Sequence, residues 1–385
     1  MRAVLAILFW SVLSAAFIGP GTVTVATKAG HGFGLSLLWA LTFSTVACVV
    51  LQEASARVAA VSGKDLATAL RERFEGTPWR GPVVLLVAGA IGVGSAAYQA
   101  GNVLGAGAGA ALVVDVDGRV FTIAVSAVAS VLLWIGSTRQ LATLLGAMVA
   151  VMGGAFLWTA FSLAPDPGET LAAAVTPRVP DGASWLAVGL VGTTVVPYNL
   201  FLGSGLARGW TAGRIRLGIV VAVGLGGLVS MGVLVVGTAV AGEWSYAAVA
   251  GAIEARLGDG AGRLFAIGLF AAGLSSALTA PMAAAITARG LTGRESAYRP
   301  TWIAVVATGA VCGLLGATPA PAIVFAQAMN GVLLPLVAVF LLVLMNDRRL
   351  LGEGGVNGRL ANAALVVVVA TTFALGGSSL WRALG

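Results

Sequence analysis

Cysteine and histidine are almost missing from this chain, with 2 and 1 among its 385 residues. Cys48 and Cys312 both lie inside apolar stretches. Buried, reduced thiols are expected there, and a disulfide framework is excluded. His31 stands alone, so neither a hydrolase triad nor a histidine-rich metal cluster is in prospect. Charge is equally scarce: 10% of residues are charged against 58% hydrophobic. That balance excludes the charged, mixed surface of a soluble domain. A phosphate-binding loop is lacking too. Gly105-Ala106-Gly107-Ala108-Gly109 has the spacing but sits in an apolar stretch, where such glycines serve helix packing. An enzyme is not expected, and no cofactor is implied.

What is present is apolar length. Eleven stretches predict membrane-spanning helices of about the 20 residues a bilayer requires. They cover 5–33, 35–61, 82–113, 119–137, 140–164, 184–207, 216–241, 262–288, 301–317, 320–345 and 360–381. The fold class is an all-α polytopic membrane protein, and the 54 glycines suit closely packed spans. The net charge of +7 is unevenly placed. Most basic residues, among them Arg57, Lys64, Arg71, Arg73, Arg216, Arg289, Arg348 and Arg359, fall at one set of span ends. The opposite ends carry Arg119, Arg178, Arg256, Arg263 and Arg382. The positive-inside rule then puts the N-terminus in the cytoplasm and the C-terminus outside, in the plasma (inner) membrane. The basic excess reads as topology, so no nucleic-acid partner is expected, and no obligate protein partner is evident. Residues 1–18 have the look of a signal peptide, with Arg2 ahead of an apolar run. The preferred reading keeps them as half of the first span.

Two spans are broken by small polar motifs, at Gly19-Pro20-Gly21-Thr22 and at Val196-Pro197-Tyr198-Asn199. Each break lies in the opening span of one set of five. Five spans per set forces the second set to run in the opposite sense, a 5+5 inverted repeat with its site between the broken helices. The expected division is 1–164, 165–345 and an added eleventh helix in 346–385.

The motifs then resemble a known family. Gly19 to Gly34, followed by Leu37-Leu38-Trp39, resembles the first helix of the NRAMP metal transporters, with its DPGN motif and AG…YG…LLW stretch. Gln52 to Arg57 with Ser62-Gly63-Lys64 resembles the second helix. Val196-Pro197-Tyr198-Asn199-Leu200-Phe201-Leu202 resembles the sixth-helix MPHNLYLH, and Gly273 to Ser276 the eighth-helix GQSS. The resemblance implies a LeuT-type fold. It also implies that Gly19, Thr22 and Val196 stand where the family holds metal with Asp, Asn and Met. Thr193 replaces an Ala that donates its carbonyl, and Tyr198 a His linked to proton movement. Gln99 and Asn102 replace the third-helix D-x-x-E carboxylates.

A site without carboxylate, thioether or imidazole is a poor host for a dehydrated dication. Helix N-termini facing the two breaks favour an anion. The expectation is therefore a secondary transporter of a small anion, bicarbonate first. Its predicted binding residues are Gly19, Pro20, Gly21, Thr22, Val23, Lys28, Thr193, Thr194, Val196, Pro197, Tyr198 and Asn199. By analogy with related inverted repeats, Na⁺ coupling would use Gly19, Thr22, Ser275, Ser276 and Thr279. Gln99, Asn102, Gln327 and Asn330 would line the pathway. Two alternatives stand beside it: a hydrated Mg²⁺ or Mn²⁺ carried through water, and a non-transporting sensor or scaffold. His31 is expected at the outer mouth, and Glu53 with Arg57 as a structural pair.

Overall fold

A computed structural model describes residues 18–136, 139–207 and 212–384. The leader-like stretch before Ile18, and with it the first half of the first broken span, lies outside the described residues. The only regular structure among them is helical. A bilayer core supplies no water to backbone amides, so each spanning segment satisfies its own.

In chain order the helices are α1 (Pro20–Phe33), α2 (Leu38–Ser62), α3 (Leu66–Arg73), α4 (Arg80–Ala111), α5 (Gly118–Ile135) and α6 (Arg139–Ser162). There follow α7 (Pro167–Val175), α8 (Ser184–Thr194), α9 (Pro197–Ala207), α10 (Ala212–Gly237) and α11 (Tyr246–Leu257). The last are α12 (Ala261–Thr292), α13 (Tyr298–Leu314), α14 (Pro319–Leu344), α15 (Arg348–Gly355) and α16 (Arg359–Leu384). Nine spans among the described residues are long and apolar enough to cross a bilayer, with α8 and α9 together making one. Two further expected spans are represented by shorter helices, α1 with 14 residues and α13 with 17.

Four short helices, α3, α7, α11 and α15, lie between spans where the sequence reading had only loops. Each is announced by a capping residue. Asp65 accepts from Thr68 N, Asp166 from Glu169 N, Ser245 from Ala248 N, and Asp347 from Arg349 N. Such caps satisfy the orphan N–H groups of a first turn and are worth about 1 kcal/mol each.

The broken α8–α9 span is the centre of the bundle, with 94% of its apolar window buried, while α5 and α16 at 22% lie outermost. At the arginine-rich end the expected Glu53–Arg57 pair is present at 3.1 Å, and Glu53 also meets Arg216 at 3.0 Å. Arg57 reaches on to the Asn357 amide oxygen and the Gly355 carbonyl. Lys64–Glu72 and Arg73–Asp347 pairs tie α3 and the start of α15 to that same end.

Close backbone contact sets the helix spacing around the site. Where α1 crosses α10, Gly30 faces Gly237 and the Leu234 carbonyl, and Gly237 faces the Thr27 backbone. A side chain at either position would strike main chain, which cannot swing aside. Small residues that let backbones meet are how membrane helices pack without a hydrophobic drive between them. Gly30→Val and Gly237→Val are expected to lower the thermal midpoint in detergent, at a cost of about 1–3 kcal/mol. Gly89→Ala, with open space around its Cα, should leave the midpoint unchanged or slightly raised.

Candidate functional site between the broken helices

The two breaks share one construction. Gly19 is extended, with φ −100° and ψ 178°, and Pro20 opens α1. Val195 leaves the helical region after Thr194, with φ −108° and ψ 80°. Pro197 then opens α9. Proline suits a first helical position because its missing N–H would be unpaired there anyway. The second break is therefore narrower than its motif suggested. Only Val195 and Val196 separate the half-helices, and Pro197-Tyr198-Asn199 forms the first turn of α9, closed by Asn199 N donating to Val196 O at 3.0 Å.

The breaks meet through hydroxyls. Thr22 Oγ1 and Thr193 Oγ1 hydrogen-bond at 3.0 Å, both buried. Beside them the rings of Tyr98 and Tyr198 stand edge to face, 5.2 Å apart. A Cβ at Gly19 would stand 3.4 Å from Ser276 Oγ and 3.6 Å from the Tyr98 hydroxyl. The position that holds Asp in the family's motif thus looks onto two neutral hydroxyls. The Gln327 side chain lies directly over Gly21, and its carbonyl over Gly192. Tyr98 was not singled out from the sequence. An aromatic in an apolar span carries no signal by itself, and its role comes from α4 passing between the two breaks.

Around this junction are buried polar atoms without a protein partner: Gln99 Oε1, Asn102 Nδ2, Asn199 Oδ1, Gln327 Oε1 and both ends of the Asn330 amide. Each orphan costs roughly 1–3 kcal/mol unless water or a solute satisfies it. Of the four predicted pathway residues, Gln327 lies against the breaks at Gly21 and Gly192, Asn330 lies against Gly94 of α4, and Gln99 packs on Gly309 of α13 with its Nε2 donating to Ala277 O at 3.2 Å.

Some predicted residues turn away. Thr194 donates to Leu190 O and Ser275 to Ala272 O, so these hydroxyls serve their own helices. Thr279 Oγ1 lies 3.3 Å from Ser276 O and is also hydrogen-bonded to the Tyr198 hydroxyl. On α12, Ser276 is thus brought up to Gly19 and Thr279 to Tyr198. Val23 and Val196 are buried and apolar. Lys28 does not reach the breaks. Its Nζ sits 4.4 Å over the Trp244 ring. Thr24, Thr27, Lys28 and His31 share one face of α1, and the segment ahead of α11 covers it. Tyr246 Oη meets Thr24 Oγ1 at 2.7 Å, Trp244 Nε1 donates to Thr27 Oγ1 at 3.1 Å, and His31 Nδ1 lies 3.2 Å from Val240 O. Burial pushes the Tyr246 phenol up, so it stays a protonated donor. Lys28, His31, Trp185 and Trp244 line a cavity of about 580 Å³.

Charge at the break is set by helix ends. The N-termini of α1 and α9 point positive ends at it, but α8 ends there too and presents its last carbonyls and negative end. The sequence reading weighed only the N-termini. Unwound carbonyls and half-helix C-termini are cation ligands in broken-helix transporters. Lys28, held over Trp244, does not offset them.

Comparison with known proteins is consistent across the chain. The divalent metal cation transporter MntH of Verminephrobacter eiseniae is 29% identical over 383 residues, covering 94% of this chain and 84% of that one. The MntH of Deinococcus radiodurans is 28% identical over 408 residues, covering 97% and 89%. In fold, the chain matches the Eremococcus coleocola manganese transporter, in complex with an aromatic bis-isothiourea compound, at a TM-score of 0.77 with 18% identity, covering 100% and 88%. It matches the inward-facing conformation of Mhp1 at 0.60 with 16% identity, covering 97% and 90%. The LeuT-type architecture is thereby confirmed. Relatives named for divalent metal cations overturn the expectation of an anion cargo, of bicarbonate and of Na⁺ as partner. The physical reason is the negative end of α8, which that expectation left out. The description natural resistance-associated macrophage protein-like (Nramp) matches residues 11–382, and the chain belongs to that family of multi-pass membrane transporters.

Proposed function

We propose that this protein transports a hard divalent cation, Mg²⁺ or Mn²⁺, which crosses the site with part of its water shell. The observation that carries this reading is the Thr22–Thr193 junction, ringed by neutral oxygens and orphaned amides instead of carboxylates. Among the described residues no group of three or more His, Cys, Asp or Glu comes together. At an effective dielectric of about 20, a carboxylate 4 Å from a dication contributes roughly 8 kcal/mol, twice the unit-charge value. Without it, stripping the ion bare is unfavourable. Keeping the inner waters lets the Thr, Asn and Gln side-chain oxygens accept hydrogen bonds from that shell. Mg²⁺ dehydrates reluctantly and normally keeps several waters. Thioether, thiolate and imidazole are lacking, so softer ions gain nothing here.

The chain is read with its N-terminus in the cytoplasm, so that the arginine-rich end faces the cytoplasm. The repeats are divided at 164/165, with residues 346–385 outside them.

Purified protein in proteoliposomes should admit Mg²⁺ and Mn²⁺ saturably, without preference for Cd²⁺. Absence of any divalent flux from correctly folded protein would refute the reading. Thr22→Asp restores a charge at the junction and should lower the KM for Mn²⁺ by at least about tenfold, or roughly 1.4 kcal/mol. Thr22→Val removes a hydroxyl from the hydrated path and should cut flux by about the same factor. Unchanged kinetics in both variants would place the pathway elsewhere.

A further inference from the structure

A cavity of about 210 Å³ opens between α2, α10 and α16 at the arginine-rich end of the bundle, and none of its lining residues belongs to the broken helices. Part of its lining is polar: Arg57, Arg216, Glu53 and Asn357. The rest is apolar, with Val49, Val220 and Leu365. Leu217 and Leu360, next in sequence to the lining residues Arg216 and Ala361, are exposed at 69% and 89%. Large apolar side chains exposed on membrane-spanning helices are suited to hydrocarbon, which would bring lipid within reach of the cavity.

Its charge is positive. Glu53 is shared by Arg57 and Arg216, at 3.1 and 3.0 Å, leaving the trio at +1. Arg57 is held by the Gly355 carbonyl and Asn357, while Arg216, 68% exposed, has Glu53 as its one hydrogen-bond partner among the described residues. Two helices of 26 residues, α10 and α16, begin at this level and add their positive ends. Arginine matches phosphate in a planar, two-pronged geometry.

We infer that this cavity is a binding site for an anionic diacyl phospholipid. The phosphate would sit on the free edge of Arg216 with Arg57 behind it, and an acyl chain would run along Val49, Val220 and Leu365. Basic pockets between spans are recognised sites for acidic headgroups. A lipid there would brace α2 against α10 and α16. The inference does not depend on which ion is carried.

Native mass spectrometry of the full chain in neutral detergent tests it, using phosphatidylglycerol and phosphatidylcholine of identical chains. The wild type should hold phosphatidylglycerol about fivefold more tightly, the effect of one basic side chain near a lipid surface. Arg216→Gln should abolish that preference. Val220→Trp, which fills the apolar wall, should weaken retention of both lipids by a similar factor. Inorganic phosphate at millimolar concentration should not displace phosphatidylglycerol. Equal retention of the two lipids by the wild type would overturn the proposal. So would a preference that survives Arg216→Gln, unchanged lipid binding in Val220→Trp, or displacement by inorganic phosphate alone.

Discussion

Everything in this bundle answers to one constraint: backbone exposed at membrane depth must find partners. Two helices, α1 at Pro20 and α9 at Pro197, start inside the bundle, and proline at the first position of each removes an amide that would otherwise be stranded. Across the gap, the Thr22 and Thr193 hydroxyls are joined. Glycines at 21 and 192 let Gln327 come close enough to cover the breaks. The polar lining contributed by α4 and α14 follows from that closeness.

The site is polar but uncharged, and this separates two quantities that are easily confused. Side-chain charge measures how well a bare ion is held. Helix ends and amide oxygens measure how well a hydrated ion is tolerated. An ion that keeps its waters loses less solvation on entry, and it asks the wall for hydrogen bonds in place of counter-charge. Gln327 and Asn330, whose amide oxygens have no protein partner, are suited to that request because such oxygens accept from bound water.

Much of the fold was legible from residue order. Apolar length marked the spans, and the Gly19-Pro20 and Val196-Pro197 pairs marked the breaks, because proline's preference for a helix start is local. Gln99, Asn102, Gln327 and Asn330 stood out because an amide inside an apolar span needs a reason. The covering of α1 by Trp244 and Tyr246 was hidden, since those contacts join residues more than 200 positions apart and leave no local pattern. The short helices were legible in principle through Asp65, Asp166, Ser245 and Asp347. The sign of the cargo was misread because counting lost carboxylates ignores main chain. The carbonyl end of α8 carries no letter of its own in a sequence.

The glycine contacts have a mechanical consequence. Gly192 rests on the Gln327 carbonyl and the Gly331 amide, and Gly331 on the Val188 carbonyl. Main chain is therefore locked to main chain between α8 and α14, just as Gly30 and Gly237 lock α1 to α10. Across the gap between these two rigid couples the contacts are softer: the threonine pair, and Val25 lying against Gly189. Water can replace a hydroxyl bond, and a valine can slide, but a backbone wedged on backbone can do neither. The bundle thus has one compliant seam, and it runs through the place where the ion would sit.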